Sequence, residues 1–292
     1  MKVLITGASG QLGQALQDSA PGSCELLALD SRTLDISQAD AVRPAVSRFA
    51  PSLIINAAAY TKVDQAETEP GRAHAVNAEG AANLARAAQG SGARLIHIST
   101  DFVFDGNKST PYQPADQTNP LGVYGASKCE GEQQVQEITQ SQALIIRTAW
   151  VYAAHGNNFV KTMLRLMAER EQLAVVSDQI GTPTSAHTLA QAIWRAASKP
   201  DLRGIYHWTD SGVASWYDFA LAIQEEALAL GLLDKAIPIR PIRTQDYPTP
   251  AKRPAYSVLD KTQSWADFDL APLHWRVALR QVLQELKEQR DA

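Results

Sequence analysis

Short, uninterrupted apolar runs alternate with longer segments of helical periodicity through the first half of this 292-residue chain. Uninterrupted runs are typical of strands that are buried on both faces, as in a parallel sheet covered by helical crossovers. The pattern therefore predicts an α/β fold with a doubly wound parallel sheet. The predicted strands are residues 3–5, 26–29, 53–55, 95–98 and 144–146.

The second half has a less regular pattern. Five prolines within residues 238–254 argue against regular structure there and favour an ordered loop. The remaining predicted elements are strands at 173–176 and 204–208 and helices at 185–198, 215–230 and 273–287. We divide the chain into a first domain, residues 1–150 with return segments near 173–200, and a smaller C-terminal domain, mainly residues 151–172 and 201–292.

The composition narrows the classes of protein. With 27 basic and 31 acidic residues, the chain has a formal net charge of -4, which argues against nucleic-acid or membrane partners. No apolar run approaches the ~20 residues of a membrane span, and the run after Lys2 is too short for a signal peptide. Cys24 and Cys129 lack the number and spacing of a disulfide framework or a zinc site. We therefore expect a cytoplasmic protein.

A glycine-rich turn joins the first predicted strand to the first helix. Its backbone N–H groups can approach a pyrophosphate at a helix N-terminus, which predicts a Rossmann-type dinucleotide site. The candidate residues of the turn are Gly7, Gly10, Gln11, Leu12 and Gly13.

The end of the second predicted strand adds to this prediction. Asp30 follows Gly13 by about 17 residues, near the ~20-residue offset at which an acidic residue binds the adenosine ribose. Arg32 could instead accept a 2′-phosphate. The choice between NADH and NADPH therefore stays open.

Tyr124 and Lys128 are four residues apart. On a helix, such residues share a face, so the phenol and the ammonium would point to the same place. A neighbouring cation favours the phenolate and lowers the pKa of a tyrosine. The pair therefore predicts that Tyr124 is an acid–base group.

Thr100 follows the fourth predicted strand. In a doubly wound sheet the ligand crevice lies beyond the carboxyl ends of the strands. Thr100 could there donate a hydrogen bond to a carbonyl oxygen that gains charge during reduction.

Five basic residues and one acidic residue, Asp246, occur between Lys235 and Arg253. A nucleotide diphosphate needs local cations, and a guanidinium binds phosphate in a bidentate manner. We therefore interpret Arg253 as a contact to a diphosphate or a sugar.

Together these features resemble the extended short-chain dehydrogenase/reductase superfamily, and further segments resemble the dTDP-4-dehydrorhamnose reductase family. The resemblance extends over residues 1 to about 290. The segments that carry it include residues 56–67, 99–106, 147–152, 178–184, 204–208, 215–217 and 252–254.

The resemblance implies reduction of the 4-keto group of dTDP-4-dehydro-β-L-rhamnose by NADPH or NADH, as the last step of dTDP-L-rhamnose biosynthesis. It implies that Tyr124 protonates the nascent alkoxide, that Lys128 tunes Tyr124 and binds the ribose, and that Thr100 polarises the keto oxygen. The remaining implied contacts are Asp35 and Ile36 to the adenine, Ala57, Ala58 and Ala59 to the cofactor, and Asp101 and Trp150 to the sugar.

The same resemblance bears on metal and assembly. Some relatives bind Mg²⁺ through acidic residues, one of them in the first helix, but residues 14–17 here contain no acid. We therefore name no metal ligand. A homodimer is compatible with the resemblance. The alternatives are a related sugar-nucleotide epimerase or reductase, and a non-catalytic regulatory subunit of the same fold.

Overall fold

The computed structural model of the chain describes residues 1–291. Its strands are β1 (Lys2–Thr6), β2 (Glu25–Leu29), β3 (Leu53–Asn56), β4 (Arg94–Thr100), β5 (Leu144–Thr148), β6 (Val151–Tyr152), β7 (Leu173–Val176), β8 (Ile180–Gly181), β9 (Thr184–Ser185), β10 (Gly204–His207), β11 (Ala214–Ser215) and β12 (Ile239–Ile242). Its helices are α1 (Gln11–Asp18), α2 (Ala39–Phe49), α3 (Val63–Ala66), α4 (Pro70–His74), α5 (Gly80–Ser91), α6 (Val123–Ile138), α7 (Phe159–Glu169), α8 (Ala186–Ala197), α9 (Trp216–Ala229), α10 (Thr262–Phe268) and α11 (Trp275–Asp291).

Six strands form one parallel sheet in the order β2-β1-β3-β4-β5-β10. The predicted α/β class with a doubly wound parallel sheet is confirmed. The chain moves from β1 outward to β2 and then returns to pair β3 with the other side of β1. This reversal opens a crevice at the carboxyl ends of β1 and β3, where such sheets bind ligands.

Both faces of the sheet are covered by helices, which explains the uninterrupted apolar runs. Successive residues of β1 point to opposite sides: Val3 and Ile5 pack in a core with α1 and α8, whereas Leu4 packs in a core with α2 and α5. All three side chains are buried. A strand that is buried on both faces needs an apolar residue at every position.

A separate core holds the smaller C-terminal part together. Side chains from α7, α9 and α11 pack around Phe219, which is buried. The N-terminus of α9 is fixed by a capping box, in which Ser215 accepts from the Asp218 N–H and the Asp218 carboxylate accepts from the Ser215 N–H. No helix among residues 1–291 is long and apolar enough to cross a membrane.

Two strands depart from the predicted division of the chain. β7, placed with the first domain, pairs with β12 in a small sheet of the C-terminal part. β10, placed with the C-terminal domain, is the sixth strand of the main sheet and pairs with β5. The physical reason is side-chain packing: Leu173 and Val175 belong to the C-terminal core, whereas Tyr206 belongs to the core on the main sheet.

The prediction of no regular structure in the proline-rich stretch is wrong for β12. Pro241 lies inside this strand, opposite Val175 of β7. Proline removes one backbone donor, and β12 tolerates this because it has a partner on one side only.

Candidate active site

A cavity of about 650 Å³ lies at the carboxyl ends of β1, β3, β4 and β5. It is therefore located at the reversal of the sheet. Most of the predicted site residues line it: Gly7, Gly10, Gln11, Leu12, Asp35, Ile36, Ala57, Ala58, Ala59, Thr100, Asp101, Tyr124, Lys128, Trp150 and Arg253.

The glycine turn packs closely against the backbone of the segment that follows β3. Gly7 has φ +74°, and a Cβ built on it would lie 2.7 Å from the carbonyl carbon of Ala57. Gly10 precedes α1 without a side-chain cap, so the first N–H groups of α1 keep their capacity to bind a ligand. This cradle fits a pyrophosphate.

Gly13 lies behind the turn, and its contact to a cofactor stays a prediction. It does not line the cavity. A Cβ at Gly13 would collide with the carbonyl oxygen of Gly7. Gly13 therefore allows α1 to pack against the turn, and does not itself contact the cavity.

Asp30 and Arg32 also lie outside the cavity lining and bind each other. The Arg32 guanidinium donates to Asp30 Oδ2 at 2.8 Å and 3.0 Å, and this contact lowers the pKa of Asp30 to about 2. Their neighbour Ser31 lines the cavity instead, together with Leu34. Each of the two side chains is therefore satisfied by the other, and their contacts to a cofactor stay predictions.

Tyr124 and Thr100 face the same cavity from α6 and from the end of β4. Desolvation raises the pKa of Tyr124 to about 12, with Asp101 acting in the same direction and the Thr100 hydroxyl in the opposite one. The phenol is therefore protonated throughout the neutral range, as a proton donor requires.

Lys128 lies one turn further along α6 and is turned towards β4. Its ammonium donates to the carbonyl of Ile98 at 2.6 Å and lies 3.4 Å from His97 Nε2. Burial lowers the pKa of Lys128 to about 8. Lys128 is not among the groups that shift the pKa of Tyr124, where the loss of water around the phenol dominates, so its tuning of Tyr124 stays a prediction.

Three polar atoms in the cavity wall point to a ligand. Ser99 Oγ, Asp101 Oδ2 and Thr148 Oγ1 are buried and have no hydrogen-bond partner among the described residues. Buried polar groups are almost always hydrogen-bonded, and leaving one unpaired costs about 1–3 kcal/mol. Burial also raises the pKa of Asp101 to about 6. These atoms suit a polar molecule such as a sugar or a ribose.

A second cavity, of about 770 Å³, adjoins the first. Trp216 and Arg253 line both cavities, so they form the boundary between them. Arg253 binds the Asp64 carboxylate at 2.8 Å and lowers its pKa. Apolar side chains from α7 and β7, including Leu166 and Val175, form another wall. An apolar wall beside a guanidinium suits a nucleoside diphosphate.

Of the basic residues in the 235–253 window, only Arg253 lines either cavity. Arg243 is paired with Asp246 at 3.5 Å, and Arg240 is exposed. The candidate contact chosen from this window is thus the one that the fold brings to a cavity.

Trp150 stacks on Trp216 with ring centroids 3.5 Å apart and an angle of 6° between the planes. Trp150 adopts φ +48°, and its indole lies where a Cβ on Gly181 would come within 2.7 Å. The paired indoles give the junction of the cavities a flat apolar wall.

The sequence matches the RmlD substrate binding domain family over residues 1–288. The chain belongs to this family. The dTDP-4-dehydrorhamnose reductase of Aggregatibacter actinomycetemcomitans is 46% identical over 288 residues, which cover 96% of this chain and 98% of that protein. The Escherichia coli K12 protein of the same name is 43% identical, with 98% of each chain covered. The predicted family resemblance is confirmed.

Solved structures of the family have the same fold. A Bacillus anthracis dTDP-4-dehydrorhamnose reductase in complex with NADP superposes with a TM-score of 0.92 at 39% identity, covering 97% of this chain and 99% of that one. The dTDP-4-dehydrorhamnose reductase of Clostridium acetobutylicum also superposes with a TM-score of 0.92 at 39% identity, covering 98% of this chain and 100% of that one. A Thermus thermophilus UDP-glucose 4-epimerase, at 20% identity and a TM-score of 0.83, shows likeness of fold alone.

Several lining residues escaped prediction from sequence. Ser99 and Thr148 lie in segments typical of the family, but only burial distinguishes them as unpaired. Trp216 also lies in such a segment, and its part in the site depends on the stack with Trp150. Among residues 1–291, no group of three or more His, Cys, Asp or Glu side chains is arranged to hold a metal ion.

Proposed function

We propose that this chain reduces the 4-keto group of dTDP-4-dehydro-β-L-rhamnose to give dTDP-β-L-rhamnose, with a reduced nicotinamide cofactor. The observation that supports this proposal most strongly is that Thr100, Tyr124 and Lys128 line the same cavity as the glycine turn. The chain also matches the reductase family along its length.

The residues of the first cavity fit the cofactor. The turn from Gly7 to Leu12 would hold the pyrophosphate through backbone N–H groups. Asp35 and Ile36 would border the adenine, residues 57–59 the middle of the cofactor, and Lys128 the nicotinamide ribose. When bound, the reduced nicotinamide supplies the hydride.

The structure of the Bacillus anthracis relative is a complex with NADP, which supports NADPH as one accepted cofactor here. Arg32 follows the lining residue Ser31, and its guanidinium would reach a 2′-phosphate by leaving Asp30. NADH stays open, because Asp30 released from Arg32 could accept from a ribose hydroxyl.

The substrate would extend across both cavities. The nucleoside would lie against the apolar wall of the second cavity, and Arg253 at the boundary would bind the diphosphate. The sugar would then reach the first cavity beside Trp150 and Asp101, whose unpaired carboxylate oxygen can accept from a sugar hydroxyl.

Two groups would complete the chemistry. Thr100 would donate its hydroxyl hydrogen to the 4-keto oxygen, where negative charge grows during reduction. Tyr124 would then give its proton to that oxygen, which is far more basic as an alkoxide than as a ketone. A phenol whose pKa is about 12 keeps this proton available at neutral pH.

The test is stoichiometric consumption of reduced cofactor by the purified protein with the dTDP-4-keto sugar, with the product identified by NMR. One dTDP-rhamnose per cofactor oxidised is expected. No consumption with either NADPH or NADH would overturn the proposal. Retention of a tightly bound cofactor without net consumption would instead indicate an epimerase.

A further inference from the structure

A buried hydrogen-bonded chain runs through the main sheet behind Lys128. Thr6 on β1 donates to Asn56 Oδ1 at 2.8 Å, and Asn56 Nδ2 on β3 lies 3.0 Å from His97 Nδ1 on β4. His97 Nε2 then lies 3.4 Å from Lys128 Nζ. All four side chains are at most 2% exposed, so water does not replace these contacts.

The orientation of the Asn56 amide is fixed by the backbone. The Ala58 N–H donates to Asn56 Oδ1 at 3.2 Å, and a backbone N–H can only donate. The other amide atom, Nδ2, is therefore the donor that faces His97. His97 Nδ1 must accept, so its ring carries the proton on Nε2 when neutral.

This tautomer conflicts with a charged lysine. The His97 Nε2–H points at Lys128 Nζ, and an ammonium offers only N–H groups in return. A neutral amine has a lone pair that can accept from Nε2–H while one of its own N–H groups binds the Ile98 carbonyl.

The other groups around Lys128 do not remove the conflict. Glu132, on the same helix, favours the ammonium but is engaged by Arg147 of β5 at 2.7 Å. Asp101, after β4, and Tyr124 are the ionisable groups next to it in the cavity wall, and neither bonds to the Lys128 ammonium. Burial holds the pKa of His97 well below its usual value, and a positive charge on Lys128 would act in the same direction, so the ring stays neutral.

We propose that His97 is a positioning residue which, held as the Nε2–H tautomer by Asn56, directs Lys128 onto the Ile98 carbonyl and disfavours the ammonium form of that lysine. Its consequence for turnover rests on the proposed function, whereas the tautomer and the lysine titration do not. His97 thus sets the pH at which the lysine beside Tyr124 changes charge.

Two substitutions of His97 test its two ring nitrogens one at a time. In His97→Gln, the amide oxygen takes a place near Nε2 and can accept from Lys128, which favours the ammonium. In His97→Asn, the side-chain oxygen takes a place near Nδ1, so the contact to Asn56 is kept and the group facing Lys128 is removed. The asparagine variant is therefore the matched control for the fold.

The experiment is an NMR titration of protein with ¹³C-labelled lysine, in which Lys128→Arg assigns the signal. We expect the parent Lys128 to titrate at about 8. Stabilising the ammonium by about 1.4 kcal/mol would raise the midpoint in His97→Gln by about one pH unit, with a smaller rise in His97→Asn. The basic limb of the kcat profile should move with it. The same midpoint in all three proteins would overturn the proposal.

A second measurement needs no substitution. In ¹⁵N-histidine spectra of the unaltered protein, His97 should show a protonated Nε2 and an unprotonated Nδ1. A proton on Nδ1 would overturn the proposal even where the variants do not fold. Failure of the proposed function would appear differently, as absence of cofactor consumption with the NMR results unchanged.

Discussion

The two adjoining cavities have opposite effects on the ionisable groups that line them. In the first, Asp101 and Lys128 are 1% and 2% exposed, and burial shifts the pKa of each towards its neutral form. In the second, Asp64 and Arg253 have side chains that are 42% and 23% exposed, and the ion pair keeps the Asp64 carboxylate charged. Burial removes water from the reacting groups of the first cavity, whereas the second retains a cation for an anionic ligand.

The difference would allow a chain of net charge -4 to bind the two polyanions of the proposed function. The first cavity offers a cofactor pyrophosphate backbone N–H groups at the start of α1, with little formal charge. The second offers the guanidinium of Arg253. Each phosphate group would therefore meet a local feature, and the overall charge would have little influence on either.

The reaction proposed for the first cavity depends most strongly on Tyr124. Tyr124→Phe removes the proton donor and should lower kcat by about 10²–10⁴-fold, with cofactor affinity almost unchanged. Steady-state kinetics and cofactor titration check this. Tyr112→Phe is the matched control, because Tyr112 donates to Asp105 outside both cavities. A parent-like kcat in Tyr124→Phe would remove this residue from the chemistry.

Asp101→Asn tests the cost of burying charge in the first cavity. The folded pKa of about 6 lies above the unfolded value, so the parent loses stability as pH rises through about 4 to 6. The variant should be more stable by roughly 2–3 kcal/mol at neutral pH, and the difference should vanish near pH 4. Denaturant unfolding across this range measures it.

Asp64→Asn is the counterpart in the second cavity. Arg253 lowers the pKa of Asp64, so its charge stabilises the fold above the unfolded pKa, and that contribution is lost as pH falls through the folded pKa. This variant should be less stable at neutral pH. Equal shifts of the same sign in both variants would contradict the contrast between the cavities.

Gly13→Ala tests the backbone cradle of the first cavity. The new Cβ would collide with Gly7 and lie 2.8 Å from the Ala8 Cα, so the turn must move. A strain of about 1–3 kcal/mol would lower cofactor affinity by about 5-fold to 150-fold, as measured by fluorescence titration. Gly22→Ala, where nothing lies within 4 Å, is the control. Equal affinity in the two variants would count against the cradle.

Arg253→Lys makes the smallest change, because it keeps the charge of the second cavity and loses the bidentate guanidinium. The KM for the dTDP-sugar should rise by roughly fivefold, as expected for the loss of about 1 kcal/mol. The same exchange at the exposed Arg240 should leave KM unchanged. A parent-like KM in Arg253→Lys would place the diphosphate elsewhere.

The first cavity was largely predictable because local patterns and chain order determine it. A glycine turn after β1 and polar residues after β4 meet in space once the strands are parallel. The roles of Asp30 and Arg32 stay predictions, because their spacing allows either a cofactor contact or the mutual ion pair that the structure shows. The hydrogen bonds of Lys128 were not predictable, because its partners, Ile98 and His97, lie on another element.

The second cavity was less predictable because distant contacts build it. Trp216 becomes part of the site by stacking on Trp150, and Arg253 by pairing with Asp64, each across a long stretch of chain. The exchange of β7 and β10 between the two parts follows from which core their side chains enter, and periodicity carries no information about that choice. The domain boundaries and the homodimer stay predictions.

The most direct measurement is a crystal structure with NADPH and dTDP-rhamnose bound. We predict that the sugar O4 lies within hydrogen-bonding distance of both Thr100 Oγ1 and Tyr124 Oη, that the nicotinamide carbon faces C4, and that the diphosphate contacts Arg253. A sugar bound away from Thr100 and Tyr124, or a nucleotide outside the second cavity, would contradict it.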